Sequence, residues 1–253
     1  MSPLKIKNHL LVCELLDKIK DSAFQFIKIN PDTTEYEVKE FILEEFHKNN
    51  LKPDKDPPIV AFNESTSIPH YYPKKESKKL TPDSLILIDI WSRLKKQQAP
   101  FSDITWMAYY GETIPEEILN IWNVIKDARD FSIKFIQEEL KQGRFPAGKE
   151  IDDIARKIII DAGYKENILH TTGHSIGFNS PHGIEAGLSQ KNLNPLIKNL
   201  AYTIEPGIYL KDKFGIRSEI CFYINDSMEL IITTPIQKEL IHIIPDIVKD
   251  IEN

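Results

Sequence analysis

Apolar residues recur along this chain with two periods, and the switches between them mark the elements. Leu11, Leu15, Leu16 and Ile19 return at helical spacing, so residues 8–29 predict a helix, ended by Asn30-Pro31. Thr34 with Glu37 three residues on is a capping-box signature, and Val38, Phe41 and Ile42 give the helix it opens an apolar face. Lys52 to Pro58 is a polar, proline-bearing connection, and Pro58-Ile59-Val60-Ala61-Phe62 reads as a strand. Lys74, Lys75, Lys78 and Lys79 belong to a solvated loop. Residues 85–91 and 103–110 read as an antiparallel strand pair joined by an exposed connection, Ser92 to Gln98. Such a pair would bring Asp89 opposite Asp103.

The pattern then restarts. Residues 116–141 predict a long amphipathic helix with Pro115 near its first turn. Gly143 to Gly148 is a break, and residues 149–162 predict a second helix on Ile151, Ile154, Ala155, Ile158 and Ile159, stopped by Gly163. A strand is expected near Ile168 to Phe178, then a loop with Pro181, Gly183 and Gly187. Residues 201–210 and 216–224 predict two strands in which Glu205 would face Glu219. Leu230 to Gln237 predicts a last strand, and a short polar end follows Pro245. The halves, about 1–111 and 112–253, thus read alike, without sequence identity between them. The expectation is one α+β unit over residues 1–253, an architectural repeat with a pseudo-twofold site.

Bulk properties narrow the function. A chain of 253 residues can bury a substantial core, and 41% hydrophobic with 28% charged residues is ordinary for a soluble globular protein. A net charge of −6 argues against a general nucleic-acid binder. Cys13 and Cys221, the two cysteines, suggest neither a disulfide framework nor a thiolate site, which fits a reducing compartment. Met1-Ser2-Pro3-Leu4-Lys5 begins no signal peptide, and no run reaches the apolar length of a membrane span. A cytoplasmic protein with no membrane and no nucleic-acid partner is expected.

Four carboxylates and one histidine lie in or beside apolar or glycine-bounded segments: Asp89, Asp103, His174, Glu205 and Glu219. Buried carboxylates need cations or hydrogen-bond donors. Four of them converging call for two divalent cations, and oxygen ligands with one imidazole suit Mn, Fe, Co or Zn. Singly, each residue has a plainer reading. An aspartate at a strand end is commonly a turn or capped carboxylate, His70 is a surface loop histidine, and Arg217 is an ion-pair partner. His170 and His174 stand four apart, but Thr171, Thr172 and Gly173 disfavour the helix that would let them share an ion. The glycines point instead to close backbone approach.

In combination these segments resemble the pita-bread metallopeptidases: methionine aminopeptidase, prolidase and aminopeptidase P. Leu85 to Gly111 is similar to their LIDxG…SDITRT…G signature, and His170 to Gly177 to HxxGHxIG. Tyr202 to Tyr209 matches TIEPGIY without a gap, and Gly215 to Glu219 is similar to GxRxE. The resemblance runs from about Thr34 to Gln237. It implies a pseudo-twofold pita-bread (creatinase/aminopeptidase) fold, with helices covering a curved antiparallel sheet. It also implies two divalent ions per chain, Mn first, with Co, Zn or Fe as alternatives. Asp89 and Asp103 would hold one ion, Asp103 and Glu219 would bridge, and His174 and Glu205 would complete the other shell. Glu205 would also shuttle the proton. His70, His170 and His182 align with substrate-handling histidines, His182 one residue later than usual. Arg217 would orient Glu219 or a substrate carbonyl.

The activity implied is hydrolysis of the N-terminal bond of a peptide with a free amine. His170 and Gly-x-Arg-x-Glu favour Xaa-Pro aminopeptidase or dipeptidase action. Methionine aminopeptidase is the alternative, favoured by the short length. A non-catalytic peptide- or protein-binding module would have lost ligands, and metal-free creatinase-type hydrolysis fits poorly with retained carboxylates. A homodimer is the default assembly. The chain departs from the family pattern in four places. Asp89 and Asp103 are further apart, Ile90-Trp91 replaces small residues, Trp106 replaces arginine, and Gly183-Ile184-Glu185 replaces an acidic-proline pattern. The first three are expected near the mouth of the site.

Overall fold

Strict alternation on two long strands decides which face of the molecule carries the chemistry. The structure, a computed structural model, describes residues 1–185 and 187–245. Its first half runs α1 (Pro3–Ile29), α2 (Glu35–Lys48), β1 (Leu51–Lys52), β2 (Ile59–Phe62), β3 (Ser84–Leu94) and β4 (Phe101–Tyr110). Its second half runs α3 (Glu116–Lys141), α4 (Gly148–Asp161), β5 (Ala201–Ile204), β6 (Gly207–Leu210), β7 (Phe214–Arg217), β8 (Ile220–Ile224), β9 (Leu230–Ile232) and β10 (Ile241–Ile243).

On β3 and β4 the even-numbered apolar residues, Ile86, Ile88, Ile90, Ile104 and Ala108, pack against α1 and α2. The odd-numbered ones, Leu85, Leu87, Trp91, Met107 and Tyr109, join a cluster with Ile121, Trp122 and Ile125 of α3 and Ala155 and Ile159 of α4. Asp89 and Asp103 are odd-numbered, so they share the face turned towards the second half. Both expected helices of that half form, and the Thr34–Glu37 capping box is made in both directions.

β1 and β2 pair with β3 antiparallel, and β10 adds to β4 in parallel, so the sheet is mixed rather than wholly antiparallel. Register corrects one expectation. Asp89 stands opposite Thr105, and Asp103 opposite Trp91. The two aspartates are diagonal neighbours on one face. The Ser92–Gln98 connection is also shorter than expected. β3 continues to Leu94 because β1 pairs with its end, and Lys95 to Gln98 form the exposed turn.

Residues 201–210 and 216–224 form four strands in place of two. β5 pairs β8 and β6 pairs β7 in one continuing register, from Ile204↔Ile220 to Gly207↔Arg217. Pro206 offers no N–H, so the ladder breaks at Glu205-Pro206 and Ser218-Glu219. This kink leaves Glu205 and Glu219 facing each other, as expected. Residues 168–178 form no strand; one isolated bridge, Ser175↔Tyr202, attaches them to β5, and two others join Gly173 to Leu188 and Ile176 to His182. The strand expected over Leu230 to Gln237 is the shorter Leu230–Ile232, and it is not the last, because β10 follows it. The polar end after Pro245 lies outside the described residues. Cys13 and Cys221 are free and buried, and no described helix is long and apolar enough to cross a membrane.

Candidate metal centre

Four segments deliver the five singled-out side chains to one cavity of about 480 Å³. β3 brings Asp89, β4 Asp103, the 170–176 segment His174, and the kink between the paired hairpins Glu205 and Glu219. Asp89, Asp103 and Glu219 are buried, while His174 and Glu205 keep a little exposure at the cavity wall. His174 Nε2 lies 3.7 Å from Asp103 Oδ2 and 3.4 Å from Glu205 Oε1. Ligand-capable atoms of Asp103, His174 and Glu219 all fall within 4.8 Å of one another.

The backbone explains why these groups meet. Ile176 N donates to Ala201 O, Thr203 N to His174 O and Glu205 N to Thr172 O, stitching the histidine segment to β5. A Cβ on Gly173 would collide with the Thr203 carbonyl oxygen, so glycine permits the close approach. Asp152 of α4, fully buried, accepts from Thr172 N at 2.9 Å and from Arg156 Nε at 2.6 Å; Arg156 donates in turn to His170 O at 3.0 Å. Across the kink, Glu219 N donates to Thr105 O and the Cys221 thiol to Asp103 O, docking β8 on β4.

Hydrogen bonding presets the donor atoms. His174 Nδ1 meets Ser175 O at 3.0 Å, which places the proton there and leaves Nε2 as an acceptor lone pair facing the carboxylates. Thr105 Oγ1 donates to Glu219 Oε2 at 2.8 Å and accepts from Arg217 Nε at 3.0 Å. Arg217 also pairs with Asp89 Oδ2 and donates to the Tyr209 hydroxyl at 2.9 Å. It therefore touches Asp89 directly and reaches Glu219 through Thr105. The Tyr209 hydroxyl meets His170 Nε2 at 2.7 Å, and His170 Nδ1 meets Thr171 O at 2.8 Å. Both His170 nitrogens are thus engaged. The His182 ring meets the His174 ring edge-on, centroids 4.1 Å apart, and His70 lies exposed at the mouth.

Burial and mutual repulsion make the charged carboxylates costly here. Burial, then the neighbouring carboxylates, push Asp103 and Glu219 well above the usual carboxylate range. Burial lifts Asp89 to about 6 against the pull of Arg217. Burial drives His174 down to about 4, so it is a neutral imidazole at pH 7. Burial also works against the Glu205 carboxylate, but His174, His170 and Arg217 together hold it below its ordinary value. Asp89 Oδ1 and Asp103 Oδ1 are buried with no hydrogen-bond partner. Orphaned carboxylate oxygens beside a neutral imidazole lone pair fit divalent cations.

Two departures from the family pattern lie away from the cavity. Trp106 faces α1, its ring under the Lys20 ammonium at 3.6 Å, because even-numbered positions of β4 point to that side. The extra residues between Asp89 and Asp103 lengthen the far end of the β3–β4 hairpin. Ile90 is also on the α1 side, and Trp91 lines the cavity. Thr105, Tyr209, Asp152 and Arg156 escaped sequence reading. Thr105 and Tyr209 stand inside the quoted motifs. Asp152 and Arg156 carried no signal beyond their i, i+4 spacing.

The metallopeptidase family M24 model matches residues 8–226. An uncharacterised peptidase of Methanocaldococcus jannaschii is 32% identical over 87% of this chain and 60% of its own length. One of Schizosaccharomyces pombe is 32% identical over 76% of this chain and 40% of its own. The structure of an X-Pro aminopeptidase from Thermotoga maritima superposes with a TM-score of 0.84 at 26% identity, covering 96% of this chain and 64% of that one. The chain therefore spans less than two thirds of the length of each of these relatives. The fold is the pita-bread fold.

Proposed function

The chain belongs to metallopeptidase family M24, and from that premise we propose that it is a dinuclear-metal aminopeptidase or dipeptidase acting on Xaa-Pro peptides. The observation that carries this is the convergence of Asp103, Glu205 and Glu219 on the His174 lone pair, with Asp89 lining the same cavity and with Asp89 Oδ1 and Asp103 Oδ1 orphaned. Asp89 and Asp103 would hold one ion, His174 and Glu205 the other, with Asp103 and Glu219 between them. Bound there, such ions supply an acidified water and polarise the scissile carbonyl.

The protein's own groups do the rest. Glu205, held in its charged form, takes the proton of the attacking water and delivers it to the leaving amide nitrogen. His182, whose ring contacts that of His174, would donate to the developing oxyanion. His170 acts through its hydrogen bond with Tyr209, which Arg217 fixes, and His70 closes the mouth of the cavity. The substrate amine lies on the Asp89–Asp103 side. On this reading residues 1–253 are one catalytic unit, working in the cytoplasm.

The test is a panel of Xaa-Pro dipeptides, Xaa-Pro-Yaa tripeptides and Met-Ala-Yaa peptides with Mn, Co and Zn. Cleavage of the Xaa-Pro members, abolished by chelator, is expected. Hydrolysis of Met-Ala-Yaa alone would replace this reading with methionine aminopeptidase.

A further inference from the structure

Glu35 is a buried carboxylate outside the metal centre. It opens α2 and is fully enclosed. Its Oε1 accepts from Phe62 N at 2.7 Å, and its Oε2 accepts from the Tyr71 hydroxyl at 2.5 Å and from Lys78 N at 3.1 Å. The first donor ends β2, and the other two lie on the connection from β2 to β3. Beyond a short turn of 3-10 helix, Asn63–Ser67, residues 68–80 of that connection form no helix or strand. This arm is fastened at both ends. Thr66 Oγ1 accepts from Gly215 N at 2.7 Å, and Pro69 O from Arg217 Nη1 at 3.3 Å. Ser77 Oγ accepts from Tyr36 N at 2.9 Å, and Leu80 N donates to Thr33 O at 2.8 Å. Between Pro69 and Ser77 the tie to α2 is the Tyr71 hydroxyl. His70 and Tyr72, on either side of Tyr71, both line the cavity.

We propose that Glu35 is a positioning residue for the peptidase reaction, holding His70 and Tyr72 at the cavity mouth through the Tyr71 hydroxyl. The proposal rests on the Xaa-Pro reading, in which His70 closes the mouth over the substrate. A purely structural role would need only the Tyr71 ring, which already packs against the apolar cluster of Ile59 and Trp91. Packing is non-directional, whereas a hydrogen bond to a carboxylate fixes distance and angle. The hydroxyl therefore sets where along the arm the two cavity residues stand. A displacement of about 1 Å at such groups can cost about 100-fold in rate.

The experiment measures kcat/KM for Ala-Pro with wild type, Tyr71→Phe, Glu35→Gln, His70→Ala and the His70→Ala, Tyr71→Phe double variant. Tyr71→Phe keeps the ring and should lose about tenfold or more. In the double variant the loss should equal that of His70→Ala alone, because the two changes disable one device. Ser77→Ala cuts a different tie between the arm and α2, and should stay near wild type. A second readout is the His70 pKa, followed by NMR in the metal-free proteins. Partial burial, then Arg217 and His182, hold that imidazole below its ordinary value, against the pull of Glu205 and Asp56. Release from the cavity wall should bring it back up in Tyr71→Phe. Should Glu35→Gln not fold, Tyr71→Phe decides. Additive losses in the double variant, an equal loss in Ser77→Ala, or an unchanged His70 pKa in Tyr71→Phe would overturn the role. Absence of any Xaa-Pro cleavage by wild type would instead overturn the functional reading, and the His70 pKa would then decide whether Glu35 and Tyr71 hold the arm.

Discussion

Replacing Thr105 with valine removes one hydroxyl and leaves the side-chain shape in place. That hydroxyl donates to Glu219 Oε2 at 2.8 Å and accepts from Arg217 Nε at 3.0 Å, with all three residues buried. Hydrogen bonds to charged groups contribute about 1.5–3 kcal/mol each, and the two share one atom, so their losses do not simply add. In Thr105→Val the Arg217 Nε–H faces a methyl group, and Glu219 loses the donor that orients it. A destabilisation of about 3 kcal/mol follows, which for a chain of this size lowers Tm by about 6–12 °C. Orienting partners of metal carboxylates also carry about 10–100-fold in metal affinity. Urea denaturation of the metal-free protein and calorimetric titration with Mn measure the two effects separately. Thr105→Ser, which keeps the hydroxyl, should recover both. A Thr105→Val protein with the wild-type urea midpoint and wild-type Mn affinity would refute the reasoning.

Other outcomes follow from the same geometry. Glu205→Gln and His174→Ala should lose hydrolysis while keeping the wild-type far-ultraviolet circular dichroism; substantial turnover by a folded His174→Ala protein would contradict its assignment. Glu219 has a folded pKa raised above its unfolded value, so its contribution to stability is complete below about pH 4.3 and is lost as pH rises. Glu219→Gln should therefore gain stability over wild type, both metal-free, by an amount that grows from pH 4 to pH 7.5; a pH-independent difference in urea midpoints would count against it. Asp152→Ala should cost about 1–3 kcal/mol by orphaning Thr172 N–H, and should loosen the segment carrying His170 and His174. Amide exchange at residues 170–176 checks this, and unaltered protection there would exclude the role given to Asp152.

Much of the fold was legible because local chemistry and tertiary demand agree. The Thr34–Glu37 box opens α2, Pro115 precedes α3, and residues 85–91 and 103–110 read as a strand pair. Asp89 and Asp103 stood out because each lies in or beside an apolar segment. The exact pairing was not legible. Register depends on the hairpin end that β1 supports, and this turned an expected Asp89–Asp103 pair into a diagonal one. The kink at Pro206 and Ser218, which makes the site, was present in the sequence as a proline inside a strand pattern. β10 joining β4 in parallel, and Arg217 reaching Asp89 from far along the chain, depend on contacts with no local signature. Trp106 shows the same limit from the other side. Its parity on β4 places it under Lys20, away from the chemistry that its neighbours suggest.

The central claim is that Asp89, Asp103, His174, Glu205 and Glu219 hold a pair of divalent ions. Elemental analysis of protein reconstituted with Mn and freed of excess ion tests it most directly, with Asp103→Ala as the comparison. Two ions per chain in the wild type, and at most a weakly held remnant in Asp103→Ala, is the expected result. A wild-type protein that retains no Mn, Co, Fe or Zn, or an Asp103→Ala protein that retains both ions, would contradict the account.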